Sequence, residues 1–196
     1  MTIRQIKRLT AEDAFRDRLG ELGVDLPLDT DRSPGGPLAE PLAVPGTGKV
    51  AGNRFCILPM EGWDGSAEGA PTELVTRRWR RFGESGAKLI WGGEAVAVRH
   101  DGRANSNQLV VGDGLGDLRR ALVDAHVDRY GTADDLVVGL QLTHSGRWSR
   151  PDGVPAPRPA HAHPVLDGHA PGEPLTDGEL DALRDDFVAA ARVAHR

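Results

Sequence analysis

The alternation of short apolar runs with longer amphipathic segments constrains this chain most strongly. Apolar runs at 54–60, 88–91 and 136–142 are each followed by a segment with helical spacing of its apolar residues, at 71–83, 115–130 and 176–191. This pattern predicts the order β-α-β-α-β-α, and therefore an α/β fold with parallel strands and right-handed crossovers. A doubly wound sheet and a barrel both fit that order.

Helix signals support this assignment. Val75, Trp79 and Phe82 share one face of the first long helix, and Thr176 with Glu179 forms a capping box at the start of the last one. A shorter helix is predicted nearer the N-terminus, with Thr10 as its N-cap and Gly23 past its end. The proline-rich residues 25–48 predict an irregular arm. We therefore divide the chain into an N-terminal helix and arm, 1–37, and an α/β domain, 38–196.

Composition excludes several classes of protein. The 196 residues carry 24 Lys and Arg against 29 Asp and Glu, a net charge of −5, so the chain offers no general attraction for nucleic acid. No segment approaches the roughly 18 apolar residues of a membrane helix. The N-terminus lacks the apolar stretch of a signal peptide, and a single cysteine, Cys56, forms no internal disulfide. We expect a cytoplasmic protein that binds neither membranes nor nucleic acid.

Two glycine clusters suggest nucleotide binding but depart from the motifs that achieve it. In the cluster ending at Gly48-Lys49, Ala43 stands where a phosphate-binding loop needs its first glycine, and Val50 replaces the Ser or Thr that would bind Mg²⁺. The cluster at 112–116 lacks the third glycine of a dinucleotide fingerprint, because Asp117 occupies that position. Both are interpreted as loops. Three histidines between 161 and 169 lack partner ligands at metal-site spacing, and we predict no metal.

Polar residues at the ends of the predicted strands are better candidates for a site. In parallel α/β folds, ligands bind beyond the carboxyl ends of the strands. Glu61 follows the first run, Glu94 the second, and Gln141 and His144 end the third. A buried Gln needs a hydrogen-bond partner, which a ligand or a neighbouring loop would supply equally well.

These strand ends, taken in order and spacing, resemble a known family. The segments are Asn53-Arg54 to Pro59-Met60, Gly86 to Glu94-Ala95, Gly102-Arg103, and Gln141 to His144 with Gly146-Arg147; Leu175-Thr176, Glu179, Phe187 and Ala190-Ala191 continue the likeness. Together they resemble the Old Yellow Enzyme family of FMN-dependent NAD(P)H:flavin oxidoreductases. The resemblance implies a (β/α)₈ TIM barrel that holds FMN at the carboxyl ends of its strands. It also implies hydride transfer from NADH or NADPH through FMN to an activated alkene.

The same resemblance assigns roles to individual residues. Cofactor-binding residues would be Leu58, Pro59, Met60, Glu61, Glu94, Ala95 and Gln141, the first four through their backbone and Gln141 through a hydrogen bond to the flavin. Trp63, His144 and Arg147 would lie on the substrate side. Glu61 stands near positions where several members carry Cys or Thr, and a carboxylate there is expected to lower the flavin reduction potential.

Length sets this chain apart from the family. A TIM barrel takes about 250 residues, and only about the first three βα units are present here. We therefore expect an N-terminal fragment or split half that is inactive by itself, with the family's substrate-binding His and proton-donating Tyr beyond its end. A second chain supplying strands four to eight, or a homo-oligomer, would complete it. The alternatives are a non-catalytic half-barrel that acts as an interaction or scaffold protein, and a nucleotide-binding doubly wound domain.

Overall fold

The computed structural model describes residues 5–31, 33–169 and 171–195, and the chain divides into two compact units, Met1–Gly36 and Pro37–Arg196. The first unit contains helix α1, Glu12–Leu22. Its end is the predicted one, since Gly23 takes a left-handed φ of 62° and its N–H closes the last turn. The predicted N-cap is wrong, because Ala11 occupies the capping position and offers no side-chain acceptor.

The second unit begins with an antiparallel hairpin that the sequence analysis missed. Strand β1, Leu42–Val44, pairs with β2, Lys49–Ala51. Gly46 and Gly48 take φ of 73° and 69° in the connecting turn, a conformation that favours glycine. Part of the predicted irregular arm is therefore regular structure, and the first glycine cluster is a hairpin turn.

Three parallel strands form the sheet of this unit, in the order β3-β4-β5. They are β3, Cys56–Ile57; β4, Leu89–Ala97; and β5, Val137–Thr143. The mixed α/β fold with a parallel sheet is confirmed. Two strand lengths were wrong: β3 is far shorter than the predicted run at 54–60, and β4 continues well past Trp91.

Three helices follow the strands: α2, Glu73–Glu84; α3, Gly114–Tyr130; and α4, Asp177–Ala194. The capping box of α4 is confirmed, since the Glu179 N–H donates to Thr176 Oγ1 and the Thr176 N–H donates to the Glu179 carboxylate. The second glycine cluster lies where α3 begins. Within the described ranges, none of these helices has the length and apolar character needed to cross a membrane.

The core lies between the sheet and helices α2 and α3. Trp79 from α2, Ile90 from β4 and Leu122 from α3 are buried in one apolar cluster. On the opposite face of the sheet, Trp91 lies beside Gly139 with 51% of its surface exposed. This one-sided cover differs from a doubly wound sheet, in which helices cover both faces.

Candidate functional site

An open cleft lies at the carboxyl edge of the sheet. It is lined by Pro59, Met60, Glu61, Trp63, Ala95, Gln141, Thr143, His144 and Ser145. The loop after β3 supplies four of these residues, β4 supplies Ala95, and the end of β5 supplies the rest. Seven of the ten predicted site residues thus meet in one cleft. Three do not line it: Leu58, Glu94 and Arg147.

An irregularity in β4 shapes the floor of this cleft. Trp91 pairs with Gly139, and the next regular pair is Ala95 with Gln141, so β4 uses more residues than β5 over this stretch. Gly92 makes the irregularity possible: its φ is 61°, and a Cβ there would lie 2.6 Å from the Gln141 backbone nitrogen. As a result Ala95 lines the cleft beside Gln141, while the preceding Glu94 is buried.

Glu94 forms the centre of an ionic cluster with α2. Its Oε2 lies 2.7 Å from Arg78 Nη2, and its Oε1 accepts the Gly62 N–H at 2.7 Å. The same Arg78 nitrogen lies 2.7 Å from Asp64 Oδ1. Residues 62–64 are therefore bonded to side chains of α2 and β4. We call Arg78, Glu94, Asp64 and Gly62 the loop clamp, because it holds the segment that carries Glu61 and Trp63.

The structure places the Glu94 side chain outside the cleft. Its side chain is completely buried, and both oxygens are occupied within the loop clamp. Burial raises the pKa of the Glu94 carboxyl, against the opposing effects of the Gly62 N–H and the Arg78 charge. Glu94 therefore cannot offer its carboxylate to a ligand in the cleft, and it acts instead by positioning the loop.

Gln141 stands in the cleft with its side chain exposed. Its amide makes no hydrogen bond to any group in the described part of the chain, so the neighbouring-loop alternative is not what the structure shows. An exposed amide has two donors and one acceptor to offer a bound molecule. Gln141 is thus the most available hydrogen-bonding side chain at the carboxyl end of β5.

His144 lines the cleft, and both of its ring nitrogens face other residues of the chain. Its Nδ1 accepts the Gly146 N–H at 3.1 Å, and its Nε2 lies 3.9 Å from Asp101 Oδ1. Burial lowers the pKa of the His144 imidazole, while the nearby Asp101 charge opposes this shift. Burial therefore favours the neutral imidazole, with Nδ1 accepting the Gly146 N–H.

Arg147 and Leu58 are placed outside the cleft. Arg147 forms an ion pair with Asp167 and donates to the His161 carbonyl, and its side chain is 8% exposed. It therefore ties the end of β5 to the long excursion at 149–174. The Leu58 side chain is 70% exposed, and the resemblance assigns only its backbone to the site.

Histidines in that excursion serve its own structure. His163 Nδ1 accepts the backbone N–H groups of Val165 and Leu166. The His161 and His163 rings lie 6.3 Å apart, centre to centre. In the part of the chain that the structure describes, no group of three His, Cys, Asp or Glu side chains is arranged to hold a metal.

Two residues that organise the site were missed in the sequence. Arg78 is one of four arginines in α2, and a helical pattern does not show which of these cations meets a buried acid. Gln108 lies in a loop with no regular pattern, yet it is fully buried and bonds to the ends of two strands. Only the fold brings these contacts together.

The raised pKa of Glu61 should make the melting temperature depend on pH. Partial burial raises the pKa of the Glu61 carboxyl, so the folded chain binds this proton more tightly than the unfolded chain does. The contribution of Glu61 to stability is then greatest below the unfolded pKa of about 4.3 and is lost as the pH rises through the folded pKa. We expect Glu61→Gln to raise the melting temperature at pH 7 and to have little effect at pH 4. Melting curves at both values test this, and equal shifts at the two pH values would contradict it.

Comparison with known proteins gives the fold. No protein-family model and no curated protein matches the chain, but solved structures do. An Old Yellow Enzyme homologue from Zymomonas mobilis is 22% identical, covers 81% of this chain and 45% of its own, and has a TM-score of 0.58. Morphinone reductase in complex with tetrahydroNAD is 22% identical, with 83% and 47% coverage and a TM-score of 0.60. Old Yellow Enzyme from Pichia sp. AKU4542 is 16% identical, with 82% and 43% coverage and a TM-score of 0.61.

These likenesses confirm the resemblance to the Old Yellow Enzyme family at the level of fold. The chain spans less than half the length of the three matched proteins. At this level of identity, activity cannot be transferred with the fold. Function must therefore be argued from the cleft itself.

Proposed function

We propose that the cleft binds the ring system of FMN, and that the chain forms part of an FMN-dependent NAD(P)H:flavin oxidoreductase of the ene-reductase type. The observation that carries this proposal is the meeting of Pro59, Met60, Ala95 and Gln141 in one cleft at the carboxyl ends of three parallel strands. That edge is where parallel α/β folds bind their ligands. Neighbours of this fold include an enzyme in complex with a nicotinamide analogue.

The residues present fit a flavin ring. Pro59, Met60 and Ala95 give the cleft apolar surface for a flat aromatic molecule, and the Gln141 amide lies beside it. A flavin has the matching combination of an apolar ring and a polar pyrimidine edge. The described lining contains no Lys or Arg, so these residues offer no cationic partner to a phosphate. The ring, rather than the phosphate, is what this part of the chain recognises.

Bound FMN would supply hydride transfer from NADH or NADPH to the β-carbon of an activated alkene. The chain's own residues have narrower tasks. Gln141 would hydrogen-bond the ring, and the Glu61 carboxylate would disfavour negative charge on it and lower its reduction potential. Trp63 and His144 would border the substrate.

The remainder of the barrel would come from further strands, which we propose are supplied by another segment, a second chain or a homo-oligomer. Exposed side chains outside the cleft support this: Leu58 and Trp91 are each more than half exposed. Such surface is usually covered by protein. The single free thiol, Cys56, is exposed and fits the reducing environment of the cytoplasm.

Replacement of Gln141 tests the proposed site. Gln141→Leu is expected to weaken FMN binding about 3- to 10-fold, because one hydrogen bond contributes about 0.5–1.5 kcal/mol. The measurement is quenching of flavin fluorescence on titration with protein. Riboflavin should bind as tightly as FMN, since no cation of the described lining meets the phosphate.

Thr132→Ala is the control, because Thr132 lies before the amino end of β5 and bonds only within its own turn. It should leave FMN affinity unchanged. If the wild-type chain binds neither flavin, the proposed function fails and the non-catalytic scaffold becomes the better interpretation. If Gln141→Leu binds as well as wild type, the flavin lies elsewhere.

A further inference from the structure

Gln108 lies behind the cleft, in the loop between β4 and α3. It is completely buried, although it is a polar residue in a segment without regular structure. Its Nε2 lies 3.0 Å from the Ala95 carbonyl oxygen and 3.1 Å from Thr143 Oγ1. Ala95 and Thr143 line the cleft, on β4 and β5 respectively. One amide group therefore joins the ends of two strands directly behind the site.

Every hydrogen-bonding group of this amide has a partner. Its two N–H groups donate to Ala95 and Thr143, and its Oε1 accepts the Ala104 N–H at 2.6 Å. The Thr143 hydroxyl donates in turn to the Val96 carbonyl at 3.2 Å. The orientation of each group in this chain is thus determined by the next, as in other fully satisfied buried networks.

These bonds act where the strand pairing is least regular. The register of β4 against β5 shifts between Trp91 and Ala95, so the position of Ala95 is not set by an unbroken ladder. Gln108 and Thr143 add contacts on the far side of this shift. They tie the backbone of Ala95, whose partner across the strands is Gln141, to the end of β5.

We infer that Gln108 is a positioning residue that holds Ala95 and Thr143 at the spacing the cleft needs to accept a flavin ring. The inference rests on the proposed function and extends it to a residue that touches no ligand. Neither a shorter amide nor a carboxylate can replace it. Asn does not reach both strands, and Glu presents an acceptor where the Ala95 carbonyl requires a donor.

Gln108→Leu in the full chain tests whether Gln108 positions the cleft or only stabilises the fold. FMN affinity should fall about tenfold, and the absorption bands of the bound flavin should shift because its polar edge meets a displaced partner. Amide NMR shifts of Ala95 and Gln141 should change without added ligand. Thr143→Val removes one bond of the network and should give a smaller change in the same direction.

Asn107→Ala is the matched control, since its side chain donates to the Gly65 carbonyl and touches neither strand end. It should lower stability without altering the spectrum of bound flavin.

A Gln108→Leu variant that binds FMN with wild-type affinity and spectrum would overturn this inference and leave the proposed function intact. Wild-type chain that binds no FMN would overturn the proposed function, and this inference with it. A Gln108→Leu chain that does not fold leaves Thr143→Val to decide, with unchanged affinity and spectrum counting against the inference.

Discussion

Arg78→Ala is expected to lower the free energy of unfolding by about 3 kcal/mol at pH 7. Removing one member of a buried ion pair typically costs about 3–5 kcal/mol, because the remaining charge loses its partner but stays out of water. We expect the low end of that range, since the Arg78 side chain is itself 24% exposed whereas Glu94 is 0% exposed. Urea unfolding at pH 7 measures the change.

The pH dependence of the stability lost in Arg78→Ala shows whether the unpaired Glu94 carboxylate causes it. Without Arg78, the pKa of Glu94 rises further and the folded chain binds its proton more tightly than the unfolded chain does. The deficit should therefore shrink as the pH falls from 7 towards 5. Adding Glu94→Gln to Arg78→Ala should recover part of the stability at pH 7, because a neutral amide is cheaper to bury than an unpaired carboxylate.

Arg80→Ala is the matched control for this pair of experiments. Arg80 lies on the same helix but is exposed, and a substitution of that kind usually changes stability by less than about 0.5 kcal/mol. Equal losses for Arg78→Ala and Arg80→Ala would contradict the loop clamp. So would an Arg78→Ala deficit that is independent of pH.

Gly83→Ala should destabilise the chain by about 1–3 kcal/mol, the usual range for overpacking a close contact. Gly83 lies on α2 where it crosses α3, and a Cβ there would overlap the Leu122 carbonyl oxygen and come within 3.2 Å of the His126 nitrogen. Both are backbone atoms, so no side chain can move aside. The helices must separate, which loosens the cluster around Trp79 and Leu122.

Gly116→Ala should have the opposite effect on stability from Gly83→Ala. Gly116 is also helical, but apart from its chain neighbours and the backbone of its own helix no atom lies within 4 Å of the position its Cβ would take. The same substitution there should stabilise the chain by up to about 1 kcal/mol, because glycine loses more backbone entropy in a helix than alanine does. Thermal unfolding of both variants tests the pair. A Gly83→Ala chain as stable as wild type would contradict the close helix crossing.

The sequence predicted the elements whose signals are local. Helix α4 follows from its capping box, and α2 from the spacing of Val75, Trp79 and Phe82, because these contacts lie within one or two turns. The three parallel strands follow from their order among the helices. Residues at strand ends met as expected, since parallel strands share a carboxyl edge.

Most of what the sequence did not predict depends on distant contacts, and the hairpin of β1 and β2 is the local exception. The hairpin of β1 and β2 has strands of three residues each, too short to show alternation. Extension of β4 beyond Gly92 requires the partner strand β5, and glycines are usually taken as the end of a strand. Arg78 and Gln108 acquire their roles only where α2, β4 and β5 come together, and no spacing within the chain encodes that meeting.

The most direct test of the flavin-binding cleft is an amide NMR titration of the full chain with FMN. The account predicts that the largest shift changes fall at Met60, Ala95 and Gln141, with smaller changes along the loop at 61–64. The amino-terminal ends of the same strands should not respond. Shift changes centred elsewhere, or none at millimolar FMN, would contradict the proposal that this cleft holds the flavin.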